Sequence, residues 1–230
     1  ESFYKSLHPN RDIVSTRTLL HEAIPLTGTI ISGTYSDENI KNYGHGMFQS
    51  IYDYPYLSSS ANHIFDITVG VSTKSNLYSS VTNQKAKKKN IYNQMAQTLV
   101  GYDVTGSVLR FDQNGDNLND TGTKMDNVFF VNMSRLLVKD EIKKGTFSMS
   151  LGVSSSYSQN KSVLSRQILI TDSSGSDGYF VNSPAGEYGI LYATASTGSD
   201  QKNILPANQS YAVGLLYYQA GIAVISGSVF

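Results

Sequence analysis

Two apolar runs near the C-terminal end of this 230-residue sequence constrain its fold more than any other feature. Residues 214–218 and 222–225 are rich in leucine, isoleucine, valine and tyrosine, and Gln219-Ala220-Gly221 separates them. Runs of β-branched and aromatic residues around a short glycine-containing turn are typical of a β-hairpin. The sequence therefore predicts paired antiparallel strands within residues 211–229.

Shorter segments of the same kind recur along the chain, each bounded by glycine, serine, asparagine or aspartate. They lie at residues 64–69, 126–133, 146–151, 163–171, 179–182 and 188–194. Many short strands joined by turns fit antiparallel sheets or a sandwich. We predict one β-rich domain of the α+β class over residues 1–230, with helical insertions and a candidate internal boundary near residues 102–125.

The helical insertions are predicted at three places, about residues 36–50, 85–100 and 134–143. The first has apolar residues at helical spacing, although Gly44 and Gly46 weaken it. The second is the clearest, because its apolar residues lie one turn apart and Gly101 is placed to end it. The third ends in two lysines and a glycine, which suit the negative pole of a helix.

Charge is scarce in this sequence. Charged residues make up 16% of the chain, 18 basic against 18 acidic, and the chain has 16 tyrosines. A soluble domain usually has ~25% charged residues, and protein–protein contacts are poor in charge and rich in aromatic rings. The composition indicates a subunit of an assembly or, alternatively, an extracellular-type β protein with a neutral polar surface. A net charge of zero argues against a nucleic-acid partner.

Most catalytic chemistries lack their sequence signature. The chain has no cysteine, and its four histidines are far apart. No nucleotide-binding or hydrolase motif is present, and no apolar run approaches the ~20 residues of a membrane span. A hydrolytic carboxylate pair would have to come from Asp53, Asp66 or Glu187. We expect no enzymatic activity, no small-molecule substrate and no membrane span.

One loop resembles a calcium-binding loop in its spacing. Its oxygen-bearing residues are Asp112, Asn114, Asp116 and Asp120. Ca²⁺ takes six to eight oxygen ligands, but position six is Asn117 instead of glycine and position twelve is Thr123 instead of glutamate. The same residues also build surface turns between strands. Calcium is therefore a candidate cofactor here, and an ordinary turn is the favoured interpretation.

Two sets of aromatic and apolar residues are candidate contact surfaces. Tyr52, Tyr54 and Tyr56 form either a sugar-stacking platform or part of a subunit contact. We also predict that the C-terminal hairpin joins a neighbouring chain by strand pairing or apolar packing. The residues assigned to that interface are Leu215, Leu216, Tyr217, Tyr218, Ile222, Val224, Ile225, Val229 and Phe230.

Several segments resemble virion structural proteins of marine T4-like tailed bacteriophages. The similarity is carried by residues 124–137 and 139–147, by 182–189 and by 217–224, and more faintly by 45–55. The resemblance implies a structural subunit that binds itself and other virion proteins. It also implies a virion location, after assembly in the host bacterial cytoplasm.

The resemblance favours a tail, baseplate or neck position in the particle, with a capsid-surface or decoration protein as the alternative. A second alternative is a glycan- or receptor-binding module that uses the tyrosine platform and a calcium-dependent loop. Bound calcium would stabilise such a module against unfolding, whereas a pure scaffold would be indifferent to it.

Overall fold

The computed structural model describes residues 40–43, 47–52, 55–78, 83–115, 122–134, 140–152, 167–195 and 211–229. These residues form a ten-stranded antiparallel sheet with one α-helix packed on it. The strands are β1 (Ile40–Asn42), β2 (Phe48–Tyr52), β3 (His63–Val71), β4 (Asn127–Met133), β5 (Ser148–Gly152), β6 (Gln167–Thr171), β7 (Phe180–Ser183), β8 (Gly186–Ala195), β9 (Tyr211–Tyr217) and β10 (Ile222–Ser226). The helix is α1 (Asn83–Leu99). The predicted β-rich α+β class is confirmed.

The order of strands across the sheet is β1-β2-β3-β4-β10-β9-β8-β6-β5, and β7 pairs with β8. The predicted C-terminal hairpin is β9 and β10, with Val224 paired to Leu215. On its other side β10 pairs with β4, where Val224 lies opposite Phe130. The hairpin therefore occupies the middle of the sheet, between strands that come from much earlier in the chain.

Both faces of the sheet carry apolar side chains, because alternate residues of a strand point to opposite faces. We call the face that carries α1 the helix face. Its buried cluster includes Tyr92, Leu99, Phe111, Phe130, Tyr188, Leu215, Tyr217 and Val224. The opposite face is lined by Ile51, Ile67, Val69, Phe129, Val131, Ile170, Leu191, Leu216, Tyr218 and Ile225. This second cluster is also buried within the chain.

Helix α1 confirms the prediction for residues 85–100. It packs on β3 at Gly70, where a Cβ atom would lie 2.6 Å from Phe130 Cε2 and 3.1 Å from Tyr92 Cα. Glycine at this position lets the helix backbone approach the strand closely. The helix ends at Gly101, whose φ of +98° is a left-handed conformation that glycine adopts without strain.

The predicted helix at 36–50 is wrong. The structure has β1 and β2 in this stretch, paired antiparallel with Ile40 opposite Ile51. The apolar spacing that suggests one helical face also brings both isoleucines to one face of a hairpin. Gly44 and Gly46 disfavour a helix in any case, because glycine costs about 1 kcal/mol in a helix interior.

The middle of the predicted helix at 134–143, residues 135–139, lies outside the described residues. At its margins, Ser134 and residues 140–143 are not helical. Ile142 instead donates its backbone N–H to the carbonyl of Tyr218, at 3.1 Å. Residues 140–147 therefore lie against the turn that follows β9.

Candidate functional site

The residues assigned to the hairpin interface lie in the interior. Strands β9 and β10 each pair with a neighbouring strand on both sides, so neither strand has an open edge. The fully or almost fully buried members are Leu215, Leu216, Tyr217, Tyr218, Val224 and Ile225, and Ile222 is half-buried. The side chains of Val229 and Phe230 lie outside the described residues. The prediction that the hairpin joins a neighbouring chain is wrong for these six buried residues, because they form the protein's own core.

Part of the predicted calcium loop is engaged by protein groups. The Asp112 carboxylate is buried and contacts the Lys124 ammonium at 3.2 Å. Its Oδ1 also accepts the backbone N–H of Asn114, at 2.8 Å, which closes a tight turn. Asp116 and Asp120 lie outside the described residues. The described half of the loop is built as a turn held by an ion pair.

A charged network that the sequence did not predict fastens residues 140–147 to β8 and to the turn after β9. Lys144 Nζ lies 2.5 Å from Glu187 Oε2 and 3.5 Å from Glu141 Oε1. It also lies over the Tyr179 ring, 4.9 Å from its centroid. The hydrogen bond between Lys144 and Glu187 raises the pKa of Lys144 and lowers that of Glu187. The two carboxylates, Glu141 and Glu187, are 46 residues apart, so no local sequence pattern predicts this network.

Asp172 also binds residues 140–147, through hydrogen bonds to their backbone. Its carboxylate is buried and accepts the backbone N–H groups of Gly145, at 2.7 Å, and Phe147, at 2.8 Å. The Tyr218 hydroxyl donates a third hydrogen bond at 3.2 Å. Burial raises the pKa of Asp172, and burial also raises the pKa of Tyr218. The Asp172 carboxylate thus accepts three hydrogen bonds from groups of the protein itself, as a residue with a structural role does.

The tyrosine platform is partly described. The rings of Tyr52 and Tyr56 are 6.3 Å apart, and the Tyr52 ring is 5.5 Å from the His63 ring. Tyr56 is 36% exposed. Tyr54 lies outside the described residues. His63, which the sequence did not single out, joins the platform because β2 and β3 pair Tyr52 with His63.

Asp66 lies beside the platform on β3. Its Oδ1 accepts hydrogen bonds from Ser50 Oγ at 2.5 Å and from His63 Nε2 at 2.8 Å. The Ser50 hydroxyl in turn lies 3.3 Å from the Tyr43 hydroxyl. This cluster combines a fixed carboxylate with two half-buried rings, Tyr52 and His63, and the exposed ring of Tyr56.

A second exposed surface lies after the C-terminal end of α1. The Asp103 carboxylate accepts hydrogen bonds from the backbone N–H groups of Thr105, at 2.7 Å, and Ser107, at 2.9 Å. A hydrogen bond from the Thr105 hydroxyl lowers the pKa of Asp103, and the backbone hydrogen bonds lower it further. The turn so ordered leaves Val104 completely exposed and Tyr102 more than half exposed. We call Tyr102 and Val104 the exposed turn.

The β7–β8 hairpin lies beside the exposed turn. Ser183 Oγ donates to the carbonyl of Leu99, at 2.5 Å, and so satisfies one of the unpaired carbonyls at the helix end. Pro184 faces Gly101, within 3.2 Å of where a Cβ atom would lie. The hairpin also carries an exposed apolar residue, Val181.

Across the described ranges, the structure contains no helix with the length and hydropathy of a membrane span. In the same part of the chain, no three His, Cys, Asp or Glu side chains lie close enough together to hold a metal ion. Comparisons with family models, with curated proteins and with solved structures find no match to this chain.

Proposed function

We propose that this protein is a structural subunit of a tailed-phage virion, placed in the tail, baseplate or neck, and that it works by binding other protein subunits. The observation that carries the proposal is the exposed turn, in which an ordered backbone presents Tyr102 and Val104 to solvent. The resemblance of residues 124–137 and 139–147 to virion proteins of tailed phages supports the same function.

The physical argument rests on the order of the turn. An apolar side chain in water forgoes the burial free energy of about 1.5–3 kcal/mol that a contact would supply. A turn held by Asp103 loses little conformational entropy when it binds, so most of that free energy is available to a partner. Tyrosine is also among the residues that contribute most to protein–protein binding.

The test is the presence of the protein in purified particles. We expect its peptides in the mass spectrum of tailed particles banded from a lysate, and antibody label at the tail or neck in electron micrographs. Label on the head would favour the capsid-surface alternative. Absence of the protein from the particles would contradict the proposed function.

The role of the exposed turn is tested with tagged copies supplied during infection. We expect the Tyr102→Ser/Val104→Ser variant to fold normally but to enter particles at about a tenth of the wild-type level or less. Leu57→Ser is the matched control, because Leu57 is 87% exposed in a different turn. Equal entry of the wild type and the double variant would show that the exposed turn is not the contact surface.

A further inference from the structure

A row of polar residues crosses four neighbouring strands of the sheet. Lys41 on β1 pairs with Ser50 on β2, Ser50 with Asp66 on β3, and Asp66 with Asn132 on β4. Directly paired residues of an antiparallel sheet project from the same face, with Cβ atoms about 5 Å apart. The row lies on the helix face, because Asp66 and Gly70 are an even number of residues apart on β3.

At the next strand, β10, the residues in line with the polar row become apolar or aromatic. Asn132 pairs with Ile222 on β10, and Ile222 pairs with Tyr217 on β9. Tyr217 is buried, and so is Ser50 within the row, whereas Asn132 is exposed and Lys41 and Asp66 are half-buried. The open polar part of the helix face is therefore confined to β1 through β4.

Asp66 is held as a hydrogen-bond acceptor in this polar row. Both of the hydrogen bonds from Ser50 and His63 go to Oδ1, and among the described residues none goes to Oδ2. The Asp66 side chain is 29% exposed. A carboxylate fixed by two neighbours needs no reorganisation to accept a hydrogen bond from a ligand hydroxyl.

Aromatic rings border the polar row on the side of the β2–β3 turn. The Tyr52 ring is tilted by 43° to the Tyr56 ring and by 56° to the His63 ring. Tilted rings of this kind form a shallow corner instead of a flat surface. Such a corner offers apolar area to one face of a ring-shaped ligand, and the polar row offers hydrogen-bonding groups to its edge.

We propose that Tyr52, Tyr56, His63, Asp66 and Asn132 form a binding site for a neutral saccharide. A sugar ring has an apolar C–H face, which fits the tyrosine corner, and hydroxyl groups at its edge, which fit the Asp66 carboxylate and the Asn132 amide. The negative charge of Asp66 disfavours acidic sugars. Lys41, at the far end of the row, disfavours a cationic ligand.

The experiment uses the intact protein and saturation-transfer NMR with neutral sugars. The probes are glucose, galactose, mannose, N-acetylglucosamine and rhamnose, each as the monosaccharide and as a short oligosaccharide. We expect at least one probe to receive saturation. We expect Asp66→Asn and Tyr56→Ala each to weaken its binding about tenfold, since each removes one of the two kinds of contact.

Tyr179→Ala is the matched control, because Tyr179 is exposed to a similar degree, 41%, on another part of the surface. Its sugar affinity is expected to equal that of the wild type. Thermal unfolding checks each variant. Should Asp66→Asn lower the melting temperature, Tyr56→Ala decides the result, because its ring lies in an exposed turn.

The proposal is overturned if no probe receives saturation from the wild type, or if Tyr56→Ala binds as tightly as the wild type. It is also overturned if Tyr179→Ala weakens binding as much as Tyr56→Ala does. All of these measurements use isolated protein, so they are independent of whether the protein is found in virions.

Discussion

Lys88 lies in an environment that its chemistry disfavours. It lies on the buried side of α1, one turn before Tyr92, with 0% of its surface exposed. Among the described residues, its Nζ has no hydrogen-bond partner. Burial lowers the pKa of Lys88 from 10.5 to about 8. Burial therefore disfavours the ammonium form, and at neutral pH, where the amine is still mostly protonated, the folded protein bears the cost of a buried charge.

We predict that Lys88→Met stabilises the protein at pH 7, by up to about 3 kcal/mol. Between pH 8 and 10.5 the unfolded chain binds the extra proton, so the stability of the wild type rises with pH through this window. The advantage of the variant therefore shrinks as the pH approaches 10.5. Urea unfolding of both proteins at several pH values measures the difference.

Lys87→Met is the control for this prediction, because Lys87 is the exposed neighbour on the same helix. Its difference from the wild type at each pH is the reference for losing a lysine from the exposed side of the helix. A destabilised Lys88→Met protein at pH 7 would show that the ammonium has a partner that offsets its burial.

The buried ion pair of Asp112 and Lys124 leads to a second prediction at the residue scale. Lys124→Met leaves a buried carboxylate without its cation and should cost about 3–5 kcal/mol in unfolding free energy. The double variant Asp112→Asn/Lys124→Met should recover most of that loss. Denaturant unfolding of the three proteins measures both effects.

The same pair predicts the response to calcium. Because Lys124 already neutralises Asp112, adding Ca²⁺ or a chelator should leave the melting temperature of the wild type unchanged. A rise with Ca²⁺ that the chelator reverses would show that the loop does bind the ion.

At the scale of elements, the C-terminal end of α1 is fixed by contacts with a distant hairpin. Gly101 ends the helix in a left-handed conformation, and its N–H donates to the carbonyl of Ala96 at 2.9 Å. Ser183 caps the carbonyl of Leu99, and Pro184 packs against Gly101. Local sequence therefore ends the helix, while the β7–β8 hairpin fixes where that end lies.

We predict that Gly101→Ala lowers stability by about 1–2 kcal/mol, because alanine is strained at positive φ and its Cβ would press on Pro184. Gly106→Ala is the matched control. Gly106 has a φ of +82°, but nothing lies within 4 Å of where its Cβ would be. It should cost only the backbone strain, about 1 kcal/mol. If both variants lost the same stability in thermal unfolding, Pro184 would have moved aside without cost and the contact would not contribute.

At the scale of the whole molecule, the sheet is continuous only because β10 joins its two halves. Strands β1 to β4 lie on one side of it, and β9, β8, β6 and β5 lie on the other. The apolar residues of β10 contribute to the buried clusters on both faces, Val224 to one and Ile225 to the other. The core formed by the described residues therefore depends on β10.

We predict that deleting residues 222–230 abolishes folding, because the deletion leaves β4 and β9 without a partner between them. The truncated protein should show no cooperative thermal transition and should lose the β signal in circular dichroism. Val181→Ser, an exposed substitution on β7, should melt like the wild type. A truncated protein that melts cooperatively near the wild-type temperature would contradict the central position of β10.

The C-terminal hairpin and helix α1 could be predicted from the sequence, because each depends on a local pattern. The apolar runs around Gln219-Ala220-Gly221 predict the hairpin, and the regular apolar spacing before Gly101 predicts α1. Both predictions are correct because a strand, a turn and a helix end are each determined by residues a few positions apart. The high tyrosine content favours a contact surface, but tyrosines such as Tyr92 and Tyr188 lie in the core.

What the tertiary structure decided is which surfaces are buried and which side chains meet. The apolar hairpin has the composition of an interface as well as that of a core, and only its position between β4 and β8 makes it core. The helical spacing at 36–50 suits a helix as well as a hairpin, and pairing with β3 favours the strands. Strand pairing brings Asp66 to Ser50 and His63, and loop packing brings Lys144 to Glu187. Contacts of this kind join residues far apart in sequence, and they depend on the register of the sheet, which no local pattern determines.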